Sequence, residues 1–362
     1  MKAISSALVF VSIIVALAMP MTTYSFFDPD TPCEQRLYKR TLGPIDLRNC
    51  VFKEHVRNRN FRNALLDSAQ FIGVDLTDAV FDGSSLNGTQ FIDSVLTRAS
   101  FINTAGINTN FAGANLNGAY LMNSSFTKSN FQASNLARAN LSGGVYSYSN
   151  FTRAILSQSL AISANFESSS LVRATIDRAR FESALMSKAR LIQANLTQSN
   201  FSSAILTGVV LSRSNLTLTY FNATKLDQTK CRWCISEDGV FTGASLTRSD
   251  WLGFVANRTN FTDAHLDNSN FSFATISESN LSNATLVGVN IGHAKLRKVV
   301  FRQADLRDGV FADAIIAECD LRKAILDRAV FTRAAFQLSD LREASVAETN
   351  FTDADFILSL QP

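Results

Sequence analysis

From Phe61 the apolar positions recur at every fifth residue: Leu66, Phe71, Leu76, Phe81, Leu86, Phe91, Leu96, Phe101. The register runs without a slip to Phe356, a series of 60 positions. Large apolar residues fill 55 of them, the exceptions being Gly106, Ala161, Cys231, Ser236 and Ala256. Two residues before each centre stands a small or short β-branched residue, a rule broken only by Arg59 and Phe254. Asn or Asp often precedes the centre, and Ser, Thr or Arg often follows it. A period of five fits neither the helical period of about 3.6 nor strand alternation. The chain must turn a corner at every unit. The centre and the small residue two before it then face inward, and the other three face water.

Typical units are Ala114-Asn115-Leu116-Asn117-Gly118, Ala194-Asn195-Leu196-Thr197-Gln198 and Ala304-Asp305-Leu306-Arg307-Asp308. This run resembles the pentapeptide repeat family, whose motif is a small residue, Asp or Asn, Leu or Phe, then two variable polar residues. The resemblance implies an all-β fold, a right-handed quadrilateral β-helix with four pentapeptides per coil, here over residues 61–358. Sixty units then make about 15 coils, and at a strand spacing of ~4.8 Å a rod on the order of 70 Å long.

The residues support four sides independently. Of the 28 Phe, 22 occupy centres. Sorted at a step of 20, the column from Phe61 holds nine Phe and so does the column from Phe71. The columns from Leu66 and Leu76 hold two each. A four-sided coil thus places Phe on two opposite walls and Leu on the others, whereas a three-sided coil would mix them. Pro is absent from Ile45 to Gln361. Proline cannot donate to a ladder, so its absence fits continuous backbone pairing.

Composition narrows the function. Charged residues make up 18% of the chain and the net charge is +3, from 34 Lys+Arg against 31 Asp+Glu. That balance argues against a nucleic-acid binder. It also argues against the DNA mimicry known in the family, in which a strongly acidic rod inhibits or protects a topoisomerase; that reading is kept as the alternative. His55, His265 and His293 are scattered, with no Ser, Cys or carboxylate arranged beside them for catalysis. No catalytic, cofactor-binding or metal-ligating residues are therefore assigned.

Residues 1–25 have the layout of a secretory signal peptide: Lys2, an apolar run from Ala3 to Ala18, Pro20, then small and polar residues to Ser25. Cleavage after Ala18 or after Ser25 is expected. The competing reading is a retained anchor, but the run is short of the roughly 20 residues a spanning helix needs. Residues 26–60 read as an irregular N-terminal cap. It includes a short helix over Cys33–Arg40 and degenerate centres at Leu47 and Phe52. Export permits disulfides, so Cys33 and Cys50 are positioned to staple the cap. Cys231 and Cys234 form an isolated C-x-x-C, expected as a packed or disulfide-bonded structural pair.

Two irregular stretches, Cys231–Ser236 and Trp251–Ala256, occupy the same slots of successive coils and so stack on each other. Phe254 and Trp251 are expected to fill the volume that Ser236 and Ala256 vacate, with a bulged corner. Trp233 takes an outward slot. From Phe101 to Thr224 there are nine basic and three acidic residues, with Arg153, Arg173 and Arg213 in one outward slot. Arg98, Arg138, Arg178 and Arg258 share another slot. Trp233 and the Arg153/Arg173/Arg213 stripe are the candidate interaction surface, for a protein or for an anionic glycan or lipid surface, with no nucleic acid expected. At the C-terminal end, Phe351 and Phe356 are expected either to support a homodimer or to be plugged by Leu358 and Leu360. The sequence thus reads as an exported, non-catalytic rod that spaces, scaffolds or binds along one face.

Overall fold

The computed structural model describes residues 33–36 and 44–362. The expected signal peptide, the first part of the cap and the remainder of the short helix lie outside the described residues. One turn of helix, α1 (Cys33–Arg36), precedes the ladder, and Cys33 is disulfide-bonded to Cys50.

From Asn60 onward every residue just before a centre bridges its counterpart in the next coil, always in parallel, from Asn60↔Val80 to Asp340↔Leu360. One unit shows how the backbone is satisfied. Leu66 N–H donates to the Ser85 carbonyl at 2.8 Å and Ser68 N–H to the Asn87 carbonyl at 2.8 Å, both in the next coil. Ala69 N–H closes the corner on the Leu66 carbonyl at 2.9 Å, while Ser85 N–H reaches back to the Ala64 carbonyl at 2.9 Å. The second residue after each centre has positive φ, for example 60° at Ser68 and 61° at Arg153, as a type II turn requires. Most of these residues are not Gly, so most corners hold a side chain in a conformation that L-residues disfavour. The ladder bonds on either side of the corner hold it there.

The chain is thus a parallel β-helix with four walls, named here by their first regular centres: Phe61, Leu66, Phe71 and Leu76. The fourth wall changes character at Ile235. From there its units are short strands: β1 (Ile235–Glu237), β2 (Val255–Asn257), β3 (Thr275–Ser277), β4 (Lys295–Arg297), β5 (Ile315–Ala317), β6 (Ala335–Gln337) and β7 (Asp355–Ile357). They form one parallel sheet in sequence order. The bulge expected at Ser236 and Ala256 is therefore the start of a straightened wall that persists to β7.

The core is built as expected. Phe61 stacks on Phe81 at 4.8 Å and Phe71 on Phe91 at 5.1 Å, and the two stacks meet edge to face, Phe61 to Phe71 at 5.7 Å. Where the first wall carries Leu121, Leu141 and Ala161, the second wall supplies Phe126, Tyr146 and Phe166 instead, all fully buried. Gly106, on the second wall one coil before Phe126, leaves room for that ring: a Cβ there would meet Thr109 Oγ1 and lie 3.0 Å from the Phe126 ring. Trp251 and Phe254 are buried beside Ser236 and Ala256, with Trp251 and Phe254 in edge contact at 4.9 Å.

Two boundary expectations change. Leu47 and Phe52 are buried, Phe52 stacks on Phe71 at 4.4 Å, and the bridges Asp46↔Leu65 and Val51↔Gln70 already belong to the ladder. The helix therefore begins before Phe61, with one residue lost from the register between Phe52 and Val56, whose N–H bonds the Asp75 carbonyl at 2.9 Å. At the other end Leu358 is 80% exposed and Leu360 also lies in solvent, so neither plugs the last coil, where Phe351 and Phe356 are partly exposed.

Candidate functional site

Each outward slot repeats once per coil, so equivalent side chains of successive coils form rows along the shaft. The fourth wall from Ser134 to Leu216 presents Asn135, Ile155, Thr175, Asn195 and Asn215. The corner leading into it carries Arg153, Arg173, Gln193 and Arg213; the corner leaving it carries Arg138, Gln158, Arg178 and Gln198. All of these corner residues are exposed, with φ between 54° and 63°.

The charges of this region are not neutralised. Arg153 and Arg213 have no protein partner. Arg138, Arg173 and Arg178 each donate through Nε to a neutral glutamine oxygen one coil on: Gln158 at 3.1 Å, Gln193 at 2.9 Å and Gln198 at 2.8 Å. The one carboxylate beside the wall is Asp177, which accepts from the Ser157 hydroxyl. Among the described residues between 99 and 231 the one ion pair is Arg180–Glu182, on another wall.

Elsewhere the same slots are paired. Arg98 bonds Asp78 at 2.6 Å, and Arg258 bonds both Asp238 and Glu237, so the row expected through Arg98, Arg138, Arg178 and Arg258 keeps free charge only in its middle. Arg302, Arg322 and Arg342 share Asp320 and Asp340 in one network, so that each of these arginines has a carboxylate partner.

The asparagines add to the donor excess. Oδ1 of Asn135, Asn195 and Asn215 accepts the N–H two residues later at 3.1, 3.2 and 3.0 Å, closing the corner. Their Nδ2 groups have no protein partner. On the third wall the equivalent amides are consumed in a ladder, Asn130 Nδ2 donating to Asn110 Oδ1 at 3.1 Å.

Trp233 continues the row of Arg153, Arg173 and Arg213 and is 53% exposed. A Cβ at Gly253 would run into its ring, so the indole lies flat over the next coil, where only Gly leaves room. Cys231 and Cys234 are disulfide-bonded across the turn that carries Trp233. Ile235 and Val255 are exposed beside it, and two coils on Phe273, 56% exposed, stacks on His293 at 4.9 Å. The flat seating of Trp233 was not legible in sequence, although Gly253, in the same slot of the next coil, was the available signal.

Other chemistry is dispersed. His55 Nδ1 accepts from Asp75 N–H, and far along the shaft His265 Nδ1 lies 3.1 Å from Thr285 Oγ1 of the next coil. Burial pushes the Cys319 thiol up to about 12. No group of three or more His, Cys, Asp or Glu among the described residues is arranged to hold a metal ion, and no helix among them is long and apolar enough to cross a membrane.

A parallel β-helix whose every side is one five-residue unit defines a class of repeat proteins. The model for pentapeptide repeats matches in overlapping segments over residues 57–105, 107–143, 176–222 and 240–333, and the chain belongs to that family. Its members are generally non-catalytic structural or interaction proteins. Among solved structures the chain is similar to HetL, a pentapeptide repeat protein involved in heterocyst differentiation regulation from Nostoc sp. strain PCC 7120. Identity is 20%, covering 65% of this chain and 86% of that one, with a TM-score of 0.22. It is also similar to full-length QnrB1, a plasmid-mediated fluoroquinolone resistance protein, at 18% identity over 59% and 93% of the two chains, TM-score 0.20. A pentapeptide repeat protein of the Arabidopsis thaliana thylakoid lumen matches at 20% identity over 29% and 67%, TM-score 0.20. No curated protein matches.

Proposed function

We propose that this chain is an exported, non-catalytic interaction protein, a rigid rod that presents the basic fourth wall to an anionic partner. The observation that carries the reading is the set of five arginines, Arg138, Arg153, Arg173, Arg178 and Arg213, left without a carboxylate partner on one wall. An uncompensated row of one sign attracts an oppositely charged surface, and salt weakens that attraction. The alternative, a DNA-mimicking inhibitor or protector of a topoisomerase, needs free negative charge. Several of the shaft's acidic corners, Asp78, Asp238, Asp308 and Asp313 among them, are bonded to arginine instead, and the chain carries a net charge of +3.

Retention on a sulfonate support tests the surface. The triple variant Arg153→Gln/Arg173→Gln/Arg213→Gln should elute at clearly lower salt than the wild type, and unchanged elution would remove this wall from the reading. Export is tested by the N-terminus of the chain recovered from the source: a start after Ala18 or Ser25 supports it, and an intact Met1 in membranes overturns it. The same reading places a homodimer contact at Phe351 and Phe356, tested by sedimentation of Phe356→Glu, which should be monomeric where the wild type is not.

A further inference from the structure

We propose that the fourth wall between Asn135 and Gly253 binds a linear polyuronate laid along the shaft, its carboxylates on Arg153, Arg173 and Arg213 and one sugar ring on Trp233. The inference rests on the interaction-surface reading above and names the partner.

Four features select this chemistry. First, the charged and amide groups of the wall offer mainly donors, Asp177 being the one carboxylate among them. The guanidinium groups carry charge, the Asn Oδ1 acceptors are spent on the corners, and the Nδ2 donors of Asn135, Asn195 and Asn215 point outward unpaired. Guanidinium is a planar fork that matches a carboxylate. A ligand with carboxylate and hydroxyl oxygens on every unit meets such a surface best.

Second, the rows repeat at one coil, about 4.8 Å. A 1,4-linked pyranose chain advances by close to that spacing per ring and turns successive carboxylates to different sides, so an extended chain along the wall can meet Arg153, Arg173 and Arg213 on one corner and Arg138 and Arg178 on the other.

Third, Trp233 ends the arginine row as a flat platform. Its ring is pressed on Gly253 and its turn is closed by the Cys231–Cys234 disulfide, so it is preorganised for stacking. Fourth, the basic stretch has no other aromatic ring on this wall. A single-stranded nucleic acid would need one stacking platform for each of several bases, and a straight shaft meets a duplex only briefly.

The test is binding of polygalacturonate to the purified protein, followed by tryptophan emission and by calorimetry at about 0.05 M and about 0.15 M salt. Binding should weaken with salt. The triple variant Arg153→Gln/Arg173→Gln/Arg213→Gln should lose about tenfold or more in affinity. Trp233→Ala should lose about fivefold with its salt dependence unchanged. Emission should shift on binding in the wild type and stay still in Trp233→Ala, since the remaining Trp251 is fully buried. Unchanged melting temperatures of the variants exclude a folding defect.

Binding of polygalacturonate that neither variant weakens overturns the inference. So does binding of oligothymidylate or phosphatidylglycerol vesicles, weakened by the triple variant, without binding of polygalacturonate; that result leaves the interaction-surface reading standing. Failure to hold any of the three polyanions overturns both.

Discussion

Tyr146 is wholly buried, and its hydroxyl donates to the Leu121 carbonyl at 3.1 Å with the Ser124 hydroxyl 3.1 Å away. A Cβ at Gly144 would stand 2.6 Å from that oxygen. Gly144→Ala must therefore displace the ring, and the variant should lose about 1–3 kcal/mol in thermal or denaturant melts. Ser159 is the opposite case. Most buried serines at its slot bond a corner carbonyl, as Ser94 does to Phe91 at 2.8 Å, but the Ser159 hydroxyl has no partner. Ser159→Ala should leave stability unchanged or raise it by about 1 kcal/mol; a clear loss would mean the hydroxyl is satisfied in solution. Asp75 governs acid behaviour at the first coil. Burial pushes its pKa up, but the Thr77 hydroxyl and N–H and the Arg57 guanidinium outweigh that and hold it at about 2, below the ordinary 3.8. A lowered folded value stabilises above the unfolded pKa, so this contribution is complete above about pH 4 and fades as pH falls toward 2. Melting temperature should drop through that window, and Asp75→Asn should make the drop shallower.

At the scale of the repeat unit, the five-residue period made nearly the whole ladder readable. Inward slots follow from the period, and the Phe/Leu alternation gave four walls. Three things were hidden, each because it depends on a neighbour one coil away. The lost residue between Phe52 and Val56 shows only once Phe52 is seen stacked on Phe71. The straightening of the fourth wall from β1 to β7 shows only in how each strand pairs with the strand one coil away, since its centres from Ile276 on are ordinary large apolar residues. The free charge of Arg153 and Arg213, against the pairing of Arg98 with Asp78, depends on what occupies the same slot in the coils before and after each one. The Cys231–Cys234 bond acts at this same scale. Closing so short a loop stabilises by about 2 kcal/mol through the unfolded chain. Cys231→Ser/Cys234→Ser should lose about that much and let the Trp233 turn loosen. Faster amide exchange around residues 231–235 and a red-shifted, more quenchable Trp233 emission would be the signs; unchanged exchange would mean that the ladder alone holds the corner.

At the scale of the molecule, every ladder bond joins a coil to the one before or after it, as the uniform pairing from Asn60↔Val80 to Asp340↔Leu360 shows. Among the described residues nothing folds back to join distant coils, so stability is a sum of coil and interface contributions rather than the property of one core. A lesion in such a rod is felt locally. Trp251→Ala removes the largest buried side chain and should cost about 3–5 kcal/mol where it sits, since Phe241, Phe254 and Phe271 all touch that ring. Hydrogen exchange should then quicken over residues 231–275 while residues 66–140 keep wild-type protection. Heating should separate into two transitions as the damaged middle uncouples the two halves. A globular domain would lose protection everywhere at once and melt in one step. If Trp251→Ala did so, the coils would have to be coupled by something other than contact between neighbours.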